Sequence, residues 1–228
     1  MKKFELTNEF ITNMFGTKLF RIRALVEFGD VEAGELGGYV EKESNLGHDD
    51  NAWVYDNAWV YGNARVYGDA QVSGNARVYG NAWVYGDALV YGDARVYGNA
   101  RVYDNALVYD NAWVYGNAQV SGDAQVSGDA RVCGNARVYG DARVCGNGDY
   151  AYAHGFGSVN RTTTFFRLKD GGVGVRCGCF YGTLAQFRDK IRETHGESAI
   201  AEEYLDLAAL MEKRFRRTGN EQKTEEES

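Results

Sequence analysis

The stretch "DARVYGNARVYD" (Asp93–Asp104) decides the fold. It writes one six-residue word twice, and the same word fills residues 51–146 as 16 consecutive copies, from NAWVYD to DARVCG. In every copy the second letter is Ala and the fourth is Val; the third letter varies. Alternation at a period of two describes an extended segment with Ala and Val on one face. The Gly or Asp that closes each word, followed by Asn or Asp, is turn chemistry, because these residues accept positive φ. Four extended residues and a two-residue corner cannot fold back as a hairpin 16 times with one side always inward. They can wind as a parallel coil.

The energetics require many copies. One buried Val contributes about 1.5–3 kcal/mol, whereas ordering six residues costs roughly 6–12 kcal/mol in backbone entropy. A single word cannot stand alone, and stability has to accumulate as words stack. Three words per turn give about five coils and a length of roughly 25 Å at ~4.8 Å per strand.

An aliphatic residue followed four positions later by a small one, as in V-Y-G-N-A-R (Val96–Arg101), resembles the hexapeptide-repeat family over residues 51–146. The resemblance implies a left-handed parallel β-helix, a triangular prism with three words per coil. The hand is carried by the resemblance alone, since ordinary crossover rules favour the opposite one. The fold class expected is therefore mainly β, a triangular solenoid with a small α+β C-terminal cap.

A bare solenoid end is an adhesive sheet edge, and both flanks change their spelling. Residues 1–50 hold Phe20, Ile22 and Ala24 in strand alternation and then "VEAGELGGYVEKESNLG", which reads as degenerate lead-in coils. Residues 147–217 are expected to form a cap of one β-hairpin, turned at Asp170-Gly171-Gly172, and two helices. Thr183 and Gln186 make a capping box for the first helix, which buries Leu184, Phe187 and Ile191. The second helix starts near Ser198 and is expected to bury Ile200, Tyr204, Leu207, Met211 and Phe215. Residues 218–228 read as a disordered acidic tail.

Grouping words by threes sorts the third letters into three outward columns. Face one carries Trp53, Gln71, Leu89, Leu107, Gln125 and Arg143; face two Trp59, Arg77, Arg95, Trp113 and Arg131; face three Arg65, Trp83, Arg101, Gln119 and Arg137. On face one, Trp53, Leu89 and Leu107 with Tyr91 and Tyr109 are expected to form an apolar patch for a homo-oligomer, a dimer or trimer. On face two, Arg77 stacks on Arg95, and like charges one strand apart repel. Two devices relieve this: cation–π contact with Trp59, Trp113 and the column of Tyr79 and Tyr97, or a bound anion. Trp59, Arg77, Tyr79, Arg95, Tyr97, Trp113 and Arg131 are therefore the candidate binding residues for a host protein or small anionic ligand. The alternative is a solvated face whose arginines pair with corner aspartates such as Asp93.

Other function classes find less support. Net charge is −7, which disfavours attraction to nucleic acid or an anionic membrane. The opening "MKKFELTNEFITNMF" has no unbroken apolar stretch and no small-residue cleavage site, so it does not read as a signal peptide; no apolar run reaches spanning length, and a cytoplasmic protein is expected. Many hexapeptide-repeat proteins are acyltransferases with a His at an intersubunit cleft; here the three His (His48, His154 and His195) lie outside the repeat. Cys177 and Cys179 read as core thiols sharing a strand face with Val173 and Val175 rather than as metal ligands. Cys133 and Cys145, two words apart, fall on different faces and should not pair. No catalytic residue, metal or cofactor is expected.

The opening "LFRIRALVEFGDVEAGELGGYVEKESNL", the repeat, and the ending "RCGCFYGTLAQFRDKIRETHGESAIAEEYLDLA" together resemble repeat proteins encoded by phages and prophages of gut bacteria. That resemblance implies an accessory protein that binds and inhibits or sequesters a host factor, such as a defence protein or its nucleotide signal. An acyltransferase with an intersubunit site and a structural protein of the phage particle are the two other readings.

Overall fold

The computed structural model describes residues 2–226. Each word contributes a two-residue strand made of its variable letter and its Val, from β4 (Trp53–Val54) to β19 (Arg143–Val144). The strands form three parallel stacks in which each residue pairs with the residue 18 positions on, as Leu89 does with Leu107 and Arg95 with Trp113. Up to three bonds hang a word on the next coil: the N–H groups of Asn63, Arg65 and Tyr67 donate to the carbonyls of Gly80, Ala82 and Val84 at 2.7, 2.9 and 3.1 Å. The result is a β-solenoid of about six turns, mainly β, closed at one end by two C-terminal helices. Every repeat Ala and Val from Ala52 to Val144 is at most 1% exposed. The small Ala lets the chain turn toward the axis, and the Val fills it.

The corners explain the last letter. Gly98 turns at φ +73°, and a Cβ there would lie 3.0 Å from the Gly116 nitrogen of the next coil. Where Asp replaces Gly, as at Asp56, Asp104 and Asp110, φ is still positive at 52–58°. The carboxylate then accepts from the N–H of Gly74, Gly122 or Gly128 one coil on, at 2.9–3.3 Å. Short polar side chains tolerate this region because they bond locally. At the corner between faces two and three the next position is always Asn. Asn63, Asn81, Asn99, Asn117 and Asn135 pass side-chain amide hydrogen bonds along the ridge at 3.0–3.2 Å.

Both ends are closed by side chains that stand in for a missing coil. β3 (Leu36–Val40) pairs in parallel with Trp59-Val60, and Leu46 bridges to Val66, so the lead-in residues form a true first coil. Asn45 donates to the carbonyls of Gly62 and Ala64, and buried Lys3 donates to those of Asp50 and Ala52. The antiparallel pair β1 (Phe4–Thr12) and β2 (Lys18–Ala24) continues the sheet outward. At the far end Asn147 accepts from the Arg131 N–H, Thr164 from that of Arg137, and the Tyr150 hydroxyl donates to the Arg131 carbonyl.

The C-terminal cap differs from its expected outline. It is a four-stranded antiparallel sheet, β20 (Tyr150–Phe156), β21 (Arg161–Arg167), β22 (Val173–Cys177) and β23 (Phe180–Thr183), with α1 (Leu184–His195) and α2 (Ala199–Glu226). β20 and β23 lie outside the expected hairpin: β20 alternates only over Tyr150–Ala153 before its register shifts, and β23 is four residues long. Adjacent residues of β21 serve two cores: Phe166 packs on the prism, and Phe165 packs among the helices. The Thr183 capping box forms as expected, as do the turn at 170–172 and the buried positions of α1. Ile200 is 37% exposed, and Ala201 takes the inward place. The disordered tail is a further correction: α2 continues through residue 218 to Glu226. Thr218 bonds back to the Arg214 carbonyl and also to Arg167, and Glu, Gln and Lys beyond it are helix formers. Residues 227–228 lie outside the described residues.

Replacing Gly98 by Ala should cost about 1–2 kcal/mol through the left-handed backbone. Gly98→Asp should lose clearly less, because the carboxylate gains the Gly116 N–H. Urea midpoints of the two variants measure the order; an Asp variant no more stable than the Ala variant would contradict this account of the corner.

Candidate binding face

On face two, Trp59, Arg77, Arg95, Trp113 and Arg131 are consecutive register partners. The repulsion between Arg77 and Arg95 is relieved by leaning apart. Arg77 lies over the Trp59 ring at 4.3 Å, and Arg95 over Trp113 at 4.9 Å. Arg131 covers the other side of Trp113 at 4.8 Å. On face three Arg101 sits over Trp83 at 5.1 Å. The corner aspartates do not take part: among the described residues none of the six arginines at 65, 77, 95, 101, 131 and 137 has a carboxylate within ion-pair distance. Weakly hydrated, planar guanidinium on indole remains charged and presents its N–H edges outward.

Charge is segregated around the prism. The corner between faces one and two carries Asp56, Asp93, Asp110 and Asp129, and the corner between faces three and one carries Asp69, Asp87, Asp104, Asp123 and Asp141. The asparagine ridge between faces two and three carries no acid from Asn63 to Asn135. The arginines of two faces therefore flank a neutral edge.

Beside the arginines runs a tyrosine stack. Tyr61, Tyr79, Tyr97 and Tyr115 lie parallel within 4° at centroid spacings of 4.9–5.0 Å. Tyr67, Tyr85 and Tyr103 repeat the arrangement on face three. The backbone ladder sets this spacing, and the sequence column predicts the order of rings but not their parallel packing.

Face one is altered at its base. Trp53, expected to stand outward in the oligomer patch, is fully buried. The N-terminal cap folds over it: Phe28 and Phe4 meet its ring edge-on at 5.3 and 6.2 Å. The remaining patch holds half-buried Leu89 and Leu107 beside the stacked Tyr91 and Tyr109.

The groups weighed for catalysis or metal binding lie apart. His48 stacks on Phe4 at 4.5 Å and accepts from the Lys3 N–H, and burial lowers its pKa below the ordinary value. His154 bonds Thr162, and His195 stacks on Tyr204. Cys177 is buried with Val175, but Cys179 is exposed in the turn after β22, so the two do not share a core face. All four cysteines are free thiols. Among the described residues no group of three His, Cys, Asp or Glu could hold a metal, and no helix is long and apolar enough to cross a membrane.

The tyrosine stacks make stability depend on pH. Burial pushes the Tyr61, Tyr67, Tyr79, Tyr85 and Tyr97 hydroxyls above the usual phenol range. Their stabilisation is present below about pH 10, where unfolded tyrosine ionises, and is lost as pH rises through the folded values. Lys3 has the opposite sign. Burial lowers its ammonium to about 8, so the folded state gains stability between there and the unfolded value of about 10.4. Urea midpoints should therefore fall steeply only above about pH 10, and a Tyr79→Phe/Tyr97→Phe variant should flatten that fall. An unchanged alkaline slope would contradict the assignment to the stack.

No curated protein matches the chain. The family described as YdcK Beta solenoid repeat matches residues 58–71, 70–86, 84–98, 94–109, 100–116, 124–140 and 130–146. These overlapping stretches fall within the block whose residues pair at a spacing of 18, so the repeat is similar to the YdcK solenoid repeat and the chain is a β-solenoid repeat protein.

Proposed function

We propose that the protein is a non-catalytic binding platform that captures an acidic protein surface astride the asparagine ridge. The observation that carries this is the set of Arg77, Arg95, Arg101 and Arg131 on faces two and three, held on Trp59, Trp83 and Trp113 without carboxylate partners among the described residues. A planar guanidinium is weakly hydrated, so one resting on an indole gives up little solvation when it meets a carboxylate. The acid-free edge between the two faces lets one partner reach both.

Shape favours a macromolecule over a small ligand. Each face is flat, about 24 Å by 13 Å, or roughly 300 Å². Stable partners bury about 800 Å² each, so an interface has to span the ridge and both faces. The resemblance of the repeat and both ends to phage-encoded proteins supports a host protein that is inhibited or sequestered. Face one supports self-association, because Leu89, Leu107, Tyr91 and Tyr109 form a patch with no charged letter between Trp53 and Arg143.

Fluorescence anisotropy with labelled poly-glutamate tests the basic ridge. Binding should weaken with salt and fall at least tenfold in an Arg77→Glu/Arg95→Glu variant. Arg143→Glu, on face one, should change it little. Equal loss in both variants, or no binding by the parent protein, would remove the proposal. Independently, Leu89→Glu should reduce the mass seen by light scattering; a parent protein that is already monomeric would sink the self-association arm.

A further inference from the structure

The C-terminal cap contains a second concavity, outside the repeat and independent of the basic ridge. A cavity of about 270 Å³ opens between the turn joining β20 to β21, the turn joining β22 to β23, and the two helices. One wall is apolar: Phe180 leans on Phe187 at 5.4 Å, and Ile191 lies one helical turn on. The floor is polar. The Cys177 thiol lies 4.0 Å from the Tyr204 hydroxyl and accepts from the buried Thr163 hydroxyl at 3.2 Å.

Arg161 stands at the mouth. Its neighbours in the cap are engaged: Arg167 with Asp149, Arg188 with Glu212, Arg192 with Asp189, and Arg176 with the Cys179 carbonyl and the Tyr139 ring. The Arg161 side chain makes no hydrogen bond or ion pair among the described residues. Its guanidinium lies across Gly178, where a Cβ would come 2.1 Å from Nη1. Gly178, at φ +60°, thus leaves the room that Arg161 occupies.

The other cation lining the cavity, Lys190, is paired with Glu193 at 2.9 Å, so an apolar wall, two polar groups at depth and one unmatched guanidinium recognise a particular chemistry. The wall takes a flat or branched apolar body, and the guanidinium takes an anionic head in a charge-assisted, bidentate contact. The volume limits the body to about the size of a single aromatic ring with its substituent. We infer that this cavity is a binding site for a small molecule carrying one anionic group, carboxylate or phosphate, on an apolar body.

Alkylation of the full-length protein by iodoacetamide, read by peptide mass spectrometry, tests the site. Cys179 lines the cavity and is exposed, and exposed Cys145 at the end of the repeat serves as internal reference. Benzoate, phenyl phosphate and neutral benzyl alcohol are compared at millimolar concentration. At least one anion should slow alkylation of Cys179 fivefold or more while Cys145 is unaffected, and the one that does so names the head group. Benzyl alcohol should give no protection. In Arg161→Gln the ratio of rates with and without the anion should return to one; because Arg161 is exposed and unbonded, this variant should keep the parent's thermal midpoint. Protection by the neutral alcohol equal to that by the anions, protection that survives Arg161→Gln, or no protection by either anion would each overturn the inference.

Discussion

The peptide hydrogen bond from one coil to the next governs everything else in this molecule. It is short-ranged and recurs from coil to coil, as when Asn63, Asn81 and Asn99 donate in turn to Gly80, Gly98 and Gly116. It therefore admits only one period, and the residue 18 positions on is the neighbour of each residue on all three faces. Side chains with no other reason to order then form columns. Tyrosine rings stack near 5 Å because the strands do. Arginines meet arginines and have to find indoles. The same bond leaves exposed donors and acceptors at each end, and Asn45, Lys3, Asn147, Tyr150 and Thr164 take them up.

What could be read from the sequence follows from that regularity. The repeat fixes its own register, so each outward column is assignable from the sequence alone, and the relief of Arg77 against Arg95 by Trp59 and Trp113 follows from adjacency. Trp53 was misplaced because its burial depends on Phe4 and Phe28, which arrive from the non-repeating cap. β20, β23 and the exposed place of Ile200 were missed for a related reason. In the cap, position is decided by which of two cores a residue meets, and local periodicity carries no trace of that choice. The cavity beside Arg161 was equally invisible, since its parts come from two turns and two helices.

Charge placement separates the corners from the flats. Aspartates occur at corners, where a carboxylate can accept the next coil's N–H or pair with a stacked Asn, as Asn51 does with Asp69 and Asn105 with Asp123. Arginines occur on flats, where aromatic neighbours hold them. The acidic net charge of the chain is thus compatible with a strongly basic edge, because acid and base occupy different letters of the same word.

The closing contacts at each end are phased to particular faces, with Asn147 and Tyr150 meeting Arg131 on face two and Thr164 meeting Arg137 on face three. Length in this protein is therefore quantised. Gain or loss of 18 residues moves the far cap along the axis and preserves every contact. Gain or loss of six rotates the cap by a third of a turn, offering it the wrong face and breaking the arginine column at the insertion. Lineages of such chains should drift in whole coils, while single words, though cheaper to duplicate, are eliminated at the ends.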